Sequence, residues 1–123
     1  MNTIQLIGNI CKDVELRVTQ SGKKIVDNTI AVKKEKKNSL GEYESDFIKV
    51  VLFDYNAEYL SKYSKKGDKI GVVGKLRVDP YQDKEGNYKT DVYVIVDKVE
   101  LLKSSEKKAE EPITEPKVSP DDL

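Results

Sequence analysis

The first 103 residues of this chain predict an all-β barrel with one short helix. Three observations lead to that fold class. Apolar side chains recur at every second position in several segments, turn residues separate those segments, and one segment has helical spacing instead. Residues 104–123 show neither period, have no aromatic side chain and hold three of the four prolines. We therefore expect one folded domain, residues 1–103, followed by a disordered acidic tail, residues 104–123.

The amino-terminal residues predict one long strand with a bend or a bulge. Apolar or small side chains recur there at every second position: Ile4, Leu6, Gly8 and Ile10, then Val14, Leu16 and Val18. The polar residues between the two sets place the expected bulge at residues 8–13. A turn is expected at residues 20–23, which read QSGK.

Two further strands are expected, at residues 25–36 and at Tyr43–Phe53. The first has an alternating row that can face a core: Val26, Asn28, Ile30 and Val32. The second is rich in the β-branched and aromatic residues that are typical of strands. Residues 38–41, which read NSLG, separate the two strands.

The period then changes to that of a short helix. Tyr59, Leu60 and Tyr63 lie at helical spacing. The side-chain oxygen of Asn56 is expected to cap the start of this helix, because asparagine accepts hydrogen bonds from the first free N–H groups. Gly67 is expected to stop the helix.

The last two strands are expected at residues 69–78 and 88–102, with a loop tip at residues 83–87. The complete order is three strands, one helix and two strands. This is the order of an OB-fold, a five-stranded Greek-key barrel, with its helix between strands three and four. An SH3-like barrel or an open five-stranded sheet is the alternative, and the position of the helix favours the OB-fold.

The composition excludes several classes of function. The sequence has no histidine and a single cysteine, Cys11. Histidine-based catalysis, histidine-containing zinc sites and an internal disulfide are therefore excluded, and one thiol fits a reducing cytosol. We see no apolar stretch long enough for a membrane-spanning helix and no secretory signal. We expect a cytoplasmic protein that is not an enzyme and needs no metal or cofactor.

Charge is unevenly distributed, although the 22 basic and 22 acidic residues balance. Residues 104–123 carry a net charge of −3, which leaves +3 on residues 1–103. A mildly basic domain with an acidic tail indicates binding to a polyanion. An ordinary solvated surface is the alternative, and charge alone does not decide between them.

The strand at Tyr43–Phe53 has the most informative pattern. One face has an aliphatic row that we expect in the core: Ile48, Val50 and Leu52. The other face combines rings with a cation: Phe47, Lys49, Val51 and Phe53. Single-stranded nucleic acid needs this combination, because flat rings stack on unpaired bases and ammonium groups neutralise phosphates. The alternative is that Phe47 and Phe53 lie under a loop or in a subunit interface.

Neighbouring segments repeat the combination of rings and cations, on the strands and loops that form the nucleic-acid surface of an OB-fold. We expect base stacking by Phe47, Phe53, Tyr81 and Tyr88. We expect phosphate contacts by Lys33, Lys34, Lys36, Lys49, Lys75 and Arg77. Each tyrosine is equally well explained as a half-buried loop anchor, and the lysine run that ends at Lys37 as a solvated loop.

Several stretches match one protein family in a single register. They are IQLIGNI (4–10), KDVELR (12–17), DFIKVVLF (46–53), YL (59–60) with KKGD (65–68), GKLR (74–77) and YKTDV (88–92). Through these stretches, residues 3–102 resemble the bacterial-type single-stranded-DNA-binding protein family, which is found in bacteria and many of their phages. The bacterial cytoplasm, or the host cytoplasm for a phage protein, is the location that this resemblance implies.

The resemblance implies an OB-fold that binds single-stranded DNA without sequence preference. Phe47, Phe53 and Tyr81 match the stacking positions of the family, whereas Lys36 stands where the family has a further aromatic residue. The family self-associates, usually as a homotetramer and in some branches as a dimer. No cofactor or metal is implied.

The family also has a characteristic end of the chain, which this sequence matches only in part. In the family an acidic tip that ends in proline and phenylalanine recruits replication, recombination and repair proteins. Here the last residues are Asp121, Asp122 and Leu123, so the acidic part is present and the final proline and phenylalanine are not. We expect a protein that protects single-stranded DNA and recruits such partners. An RNA-binding or primosome-type OB module, or a protein-interaction subunit that binds no nucleic acid, is the alternative.

Overall fold

The computed structural model describes residues 1–104, which form six strands and one helix. The strands are β1 (Ile4–Ile10), β2 (Arg17–Val18), β3 (Lys24–Lys37), β4 (Tyr43–Phe53), β5 (Lys69–Gln82) and β6 (Tyr88–Lys103). The helix is α1 (Asp54–Tyr63), and it follows β4 directly. Within residues 1–104, no helix is both long enough and apolar enough to cross a bilayer.

The strands close into a barrel. Their order in the sheet is β1-β5-β6-β4-β3-β2, and β1 also pairs with β3 through Asn9↔Ala31 and Ile10↔Ile30. The β4–β6 pair is parallel and the other pairs are antiparallel. If β1 and β2 are counted as one interrupted strand, the barrel has five strands with its helix between the third and the fourth. This confirms the predicted OB-fold.

The first strand is more interrupted than its sequence pattern predicts. Residues 11–16 form no strand, and Leu16 and Val18 are exposed. The physical reason is Asn28, which is buried in β3 and interacts with this segment through its side chain. The Asn28 carboxamide accepts a hydrogen bond from the Lys12 N–H at 3.1 Å and donates one to the Lys12 carbonyl at 3.0 Å. These side-chain bonds replace the backbone ladder that a continuous strand would make.

The core lies inside the barrel. It includes eight residues with almost no exposed surface: Val26, Ile30, Val50, Leu52, Leu60, Ile70, Val72 and Val94. Each such aliphatic side chain stabilises the fold by about 1.5–3 kcal/mol through removal from water. Ala57 and Leu60 of α1 belong to this cluster, so the helix covers one end of the barrel.

The helix is held differently from what the sequence predicts. The residue before it, Phe53, makes no side-chain capping bond, and Asn56 lies within the helix instead of capping it. The Asn56 side chain donates to the carbonyl oxygens of Val96 and Asp97, at 3.3 and 3.1 Å. Asn56 therefore ties the helix to β6. The helix ends at Tyr63, before the predicted stop at Gly67.

Gly67 has its own role in the turn that leads to β5. Its φ of 95° lies in the left-handed region, which glycine adopts at no steric cost. Its N–H donates a 2.8 Å hydrogen bond to the carbonyl of Ile10. The turn is therefore joined to the end of β1.

Candidate nucleic-acid interface

One outer face of the barrel runs across β3, β4, β6 and β5, and most predicted site residues lie on it. On β4 the side chains alternate as predicted: Val50 and Leu52 are buried, and Phe47 and Lys49 point outward. On the β5–β6 hairpin the outward residues form a ladder of cross-strand pairs: Lys75↔Ile95, Arg77↔Tyr93, Asp79↔Asp91 and Tyr81↔Lys89. We call this surface the outer face.

The aromatic side chains of the outer face are available for contact. Phe47 is 70% exposed, which is unusual for a phenylalanine, and Tyr81 is 49% exposed. Phe53 is half-buried, and the ammonium group of Lys23 lies 4.7 Å from the centroid of its ring. A cation at that distance is attracted to the ring face. The lysine and the ring therefore form a mixed aromatic and cationic site at the end of β4.

A groove connects Phe53 to Tyr81. Phe53, Lys49 and Tyr93 line one part of it, and Tyr81 lines the next. The two parts share Lys49, Asp79 and Asp91, so the depression is continuous from Phe53 to Tyr81. We call this depression the groove.

Carboxylates accompany the cations of the outer face. Ion pairs join Lys49 to Asp91 at 2.6 Å, Lys75 to Asp97 at 2.9 Å and Arg77 to Asp79 at 3.8 Å. The hydrogen bond to Asp91 raises the pKa of Lys49, so this ammonium group is fully charged at neutral pH. The Tyr93 hydroxyl donates to Asp79 at 2.6 Å, and this bond raises the pKa of the phenol. The groove is thus a mixed-charge surface.

The comparison with known families agrees with this geometry. The family described as "Single-strand binding protein family" matches residues 1–102. The chain belongs to that family.

Curated relatives are similar over the same region. "Single-stranded DNA-binding protein 1" of Staphylococcus aureus (strain Mu50 / ATCC 700699) is 39% identical over 102 residues, which are 83% of this chain and 65% of the relative. "Single-stranded DNA-binding protein" of Streptococcus mutans is 34% identical over 104 residues, 85% of this chain and 63% of the relative. The chain therefore spans slightly less than two thirds of the length of these relatives.

Two predicted site residues lie away from the outer face. Lys89 pairs with Tyr81 on the outer face, and Tyr88 is the next residue along the strand, paired with Gln82. Because successive side chains of a strand point to opposite sides, Tyr88 points away from the outer face, and it is 84% exposed. Lys34 binds Asp46 at 2.6 Å, and Asp46 points to the side of β4 opposite Phe47. Of the other predicted residues, the structure brings Phe47, Phe53, Tyr81, Lys49, Lys75 and Arg77 together on the outer face.

The remaining predicted residues occupy the far end of the β3–β4 hairpin or lie outside the described residues. Lys33 pairs with Ser45, which is on the side of β4 that carries Phe47. Lys36 lies in an irregular stretch of β3, between Lys33 and Lys37. The proposed partner-binding residues Asp121, Asp122 and Leu123 are outside the described residues 1–104.

Sequence reasoning missed two aromatic residues on the same side of the sheet. Tyr93 lines the groove, and Tyr43 lies four residues before Phe47 on β4. The period-two pattern contained a signal for both, because each has the parity of an outward residue on its strand. Within residues 1–104, the acidic residues and Cys11 form no group of three or more that could hold a metal ion.

Proposed function

We propose that this chain binds single-stranded DNA without sequence preference, along the outer face of β4 and the β5–β6 hairpin. The observation that carries the proposal is the exposure of Phe47 beside Lys49 on a barrel face whose other side fills the core. A ring exposed to water beside a cation matches what an unpaired nucleotide presents, which is a flat base and a phosphate. Family membership and the names of the relatives support the same ligand.

The chemistry of the outer face explains why binding would ignore sequence. Every base has a π-face, so stacking on Phe47, Phe53 and Tyr81 does not distinguish one base from another. Lys49, Lys75 and Arg77 would contact phosphates, which are the same in every nucleotide. The proposal assigns a binding function and no reaction.

We also propose that the chain self-associates, as a homotetramer or a dimer. A shallow apolar groove on β1, β5 and β6 supports this part of the proposal. It is lined by Leu6, Ile7, Gly71 and Leu102, and both Ile7 and Leu102 are exposed in the single chain. Contiguous apolar surface of this kind is typical of protein interfaces.

The wider role that we propose is protection of single-stranded DNA and recruitment of replication, recombination and repair proteins. In this scheme residues 1–103 are the DNA-binding domain and residues 104–123 are an acidic arm. Asp121, Asp122 and Leu123 would contact partner proteins, and the net charge of −3 on residues 104–123 supports this division.

A titration with three oligonucleotides tests the proposed ligand. Fluorescent dT and rU oligomers and a duplex of matched length are each added to the full chain, and anisotropy is recorded. We expect binding to dT, weaker binding to rU and least binding to the duplex, in which the bases are already stacked. Preference for rU would indicate an RNA-binding module. Failure to bind any of the three would indicate a protein-interaction subunit and overturn the proposal.

The mass of the complex completes this test. Native mass spectrometry of the free chain and of the dT complex gives the number of chains and of oligomers. Four or two chains per particle agree with the proposed self-association, whereas a single chain at micromolar concentration contradicts it.

A further inference from the structure

The far end of the β3–β4 hairpin carries a second combination of a ring and cations. The Lys33 ammonium group lies 4.3 Å from the centroid of the Tyr43 ring, and that of Lys37 lies 5.7 Å from it. Tyr43 is 48% exposed and, being four residues before Phe47, lies on the same side of β4. We call Lys33, Lys37 and Tyr43 the hairpin cluster.

A bulge in β3 creates the hairpin cluster. Lys33 pairs with Ser45 and Lys37 pairs with Tyr43, so the register shifts between these two pairs. In an uninterrupted antiparallel ladder, Glu35 would stand opposite Tyr43. The bulge places Lys37 there instead, which exchanges a carboxylate for an ammonium group beside the ring. Bulges re-aim side chains in this way, and they are frequent next to functional sites.

The charges of the hairpin cluster differ from those of β4 and β5 elsewhere on the outer face. Lys49, Lys75 and Arg77 each have a carboxylate within 4 Å. Within residues 1–104, no ion pair involves Lys33 or Lys37. A phosphate that approaches the hairpin cluster therefore displaces no carboxylate.

A shallow hollow beside the ring adds a third cation. Lys69 and Asn9 line this hollow together with Lys33 and Tyr43. A carboxylate is absent from its lining residues. The surface around Tyr43 thus combines three lysines with a hollow that no carboxylate of residues 1–104 lines.

We propose that Tyr43 stacks on a base and that Lys33 and Lys37 hold the phosphates on either side of that base. The proposal rests on the proposed function and extends the path of the DNA from Phe47 to the tip of the hairpin. Four residues of extended strand separate Tyr43 from Phe47, which is about 13 Å. The two rings are therefore too far apart to share one base, and each contacts a different nucleotide.

A single tryptophan reports on this contact, because the chain has none of its own. In Tyr43→Trp the emission is expected to be quenched when a dT oligomer binds. Tyr63→Trp is the matched control, since Tyr63 is 58% exposed and has Lys62 at 5.7 Å from its ring. Tyr63 lies on α1, which follows the opposite end of β4, and its emission is expected to stay constant.

The outcomes separate this proposal from the one on which it rests. If both variants bind dT by anisotropy and neither emission changes, Tyr43 does not stack and the inference is overturned. If neither the variants nor the unmodified chain binds dT, the proposed function fails. Quenching in both variants would indicate a general change on binding and would also contradict a local contact at Tyr43.

Affinity and salt dependence test the hairpin cluster further. Tyr43→Ala is expected to weaken dT binding by about 5- to 150-fold, the range for loss of one stacked base, whereas Tyr43→Phe keeps the ring and the affinity. Lys33→Ala and Lys37→Ala are each expected to reduce the log–log salt slope by about 0.7, and Lys62→Ala is expected to leave it unchanged. Circular-dichroism melts check that each variant is folded. Unchanged affinity in folded Tyr43→Ala would overturn the inference.

Discussion

The ammonium nitrogen of Lys49 lies 2.6 Å from a carboxylate oxygen of Asp91, in the part of the groove between Phe53 and Tyr81. Both side chains are partly exposed, so the pair stabilises the fold only slightly. Its main consequence concerns ligands, because any phosphate that binds Lys49 competes with Asp91.

Removal of this competitor is expected to strengthen DNA binding. Asp91→Asn keeps the shape of the side chain and removes its charge, so Lys49 becomes available to a phosphate. Since an exposed ion pair contributes less than about 1 kcal/mol, we expect dT affinity to rise by no more than about fivefold. Anisotropy titration at low salt measures this change.

A control separates the local effect from the change in net charge. Asp46→Asn removes the same charge and also breaks a 2.6 Å pair, with Lys34, on the opposite side of β4. A smaller gain in affinity is expected for Asp46→Asn. Equal gains in the two variants would show that net charge, and not competition for Lys49, controls binding.

The outward-facing rings of β4, exposed Phe47 and half-buried Phe53, are expected to contribute to binding. Phe47→Ala and Phe53→Ala should each weaken dT binding by about 1–3 kcal/mol, through loss of one base stack. Phe47→Ala should leave the melting temperature nearly unchanged because the ring is already exposed. Tyr55→Ala is a suitable control, since Tyr55 is exposed on α1. A Phe47→Ala variant that unfolds easily and binds normally would place this ring in a structural role.

Binding is expected to depend on salt, because phosphate contacts release counterions. Each contact contributes about −0.7 to the log–log slope for single strands. A face with several cations should therefore give a slope of about −2 to −5. Arg77→Ala should make the slope shallower by about 0.7. Affinity that does not change between low and high salt would contradict the phosphate contacts.

The core of the barrel is expected to respond strongly to truncation. Leu52 is fully buried on the inner side of β4, and Leu52→Ala should reduce the free energy of unfolding by about 2–5 kcal/mol. Leu40→Ala is the matched control, because Leu40 is exposed in the β3–β4 turn, and it should change stability by about 0.5 kcal/mol or less. Urea denaturation measures both. Similar losses in the two variants would contradict the assignment of the inner face.

Deletion of residues 104–123 is expected to tighten DNA binding a few-fold at low salt. The segment carries a net charge of −3 and is tethered to a basic domain, which gives it an effective concentration on the order of mM. Salt should remove the difference by screening. Titration of the full and shortened chains at two salt concentrations tests this. Weaker binding after deletion would mean that the segment contributes to the DNA site.

The strand pattern could be predicted well where one side of a strand faces the core. The alternation of Phe47 and Lys49 against Val50 and Leu52 follows from a period of two, and the structure has the same faces. The position of the helix after the third strand could be predicted for a similar reason, because its apolar residues follow a different period from those of the neighbouring strands.

Features that depend on contacts between distant residues could not be predicted. The side chain of Asn56 donates hydrogen bonds to carbonyl groups of β6 that lie about 40 residues later in the chain. The prediction that Asn56 caps the helix was therefore wrong. Asn28 belongs by its position to the alternating row of β3 that faces the core. Its side chain forms hydrogen bonds with the backbone of Lys12, and these bonds interrupt the first strand. The bulge that moves Lys37 opposite Tyr43 depends on the pairing of two strands, and the composition of either strand alone does not reveal it.

Closure of the barrel depends on a short seam. β1 meets β3 through only two residue pairs, Asn9↔Ala31 and Ile10↔Ile30, whereas β5 and β6 pair along most of their length. Gly8 borders this seam, and a Cβ there would come within 2.7 Å of the Ala31 carbonyl oxygen. Amide hydrogens at the seam should therefore exchange with solvent sooner than those between β3 and β4. β4 and β6 also meet through only two residue pairs, Val50↔Val94 and Val51↔Ile95. The strand that carries Phe47 and Lys49 is therefore joined to the hairpin that carries Tyr81 by a second junction as short as the seam, and the two halves of the outer face can shift relative to each other.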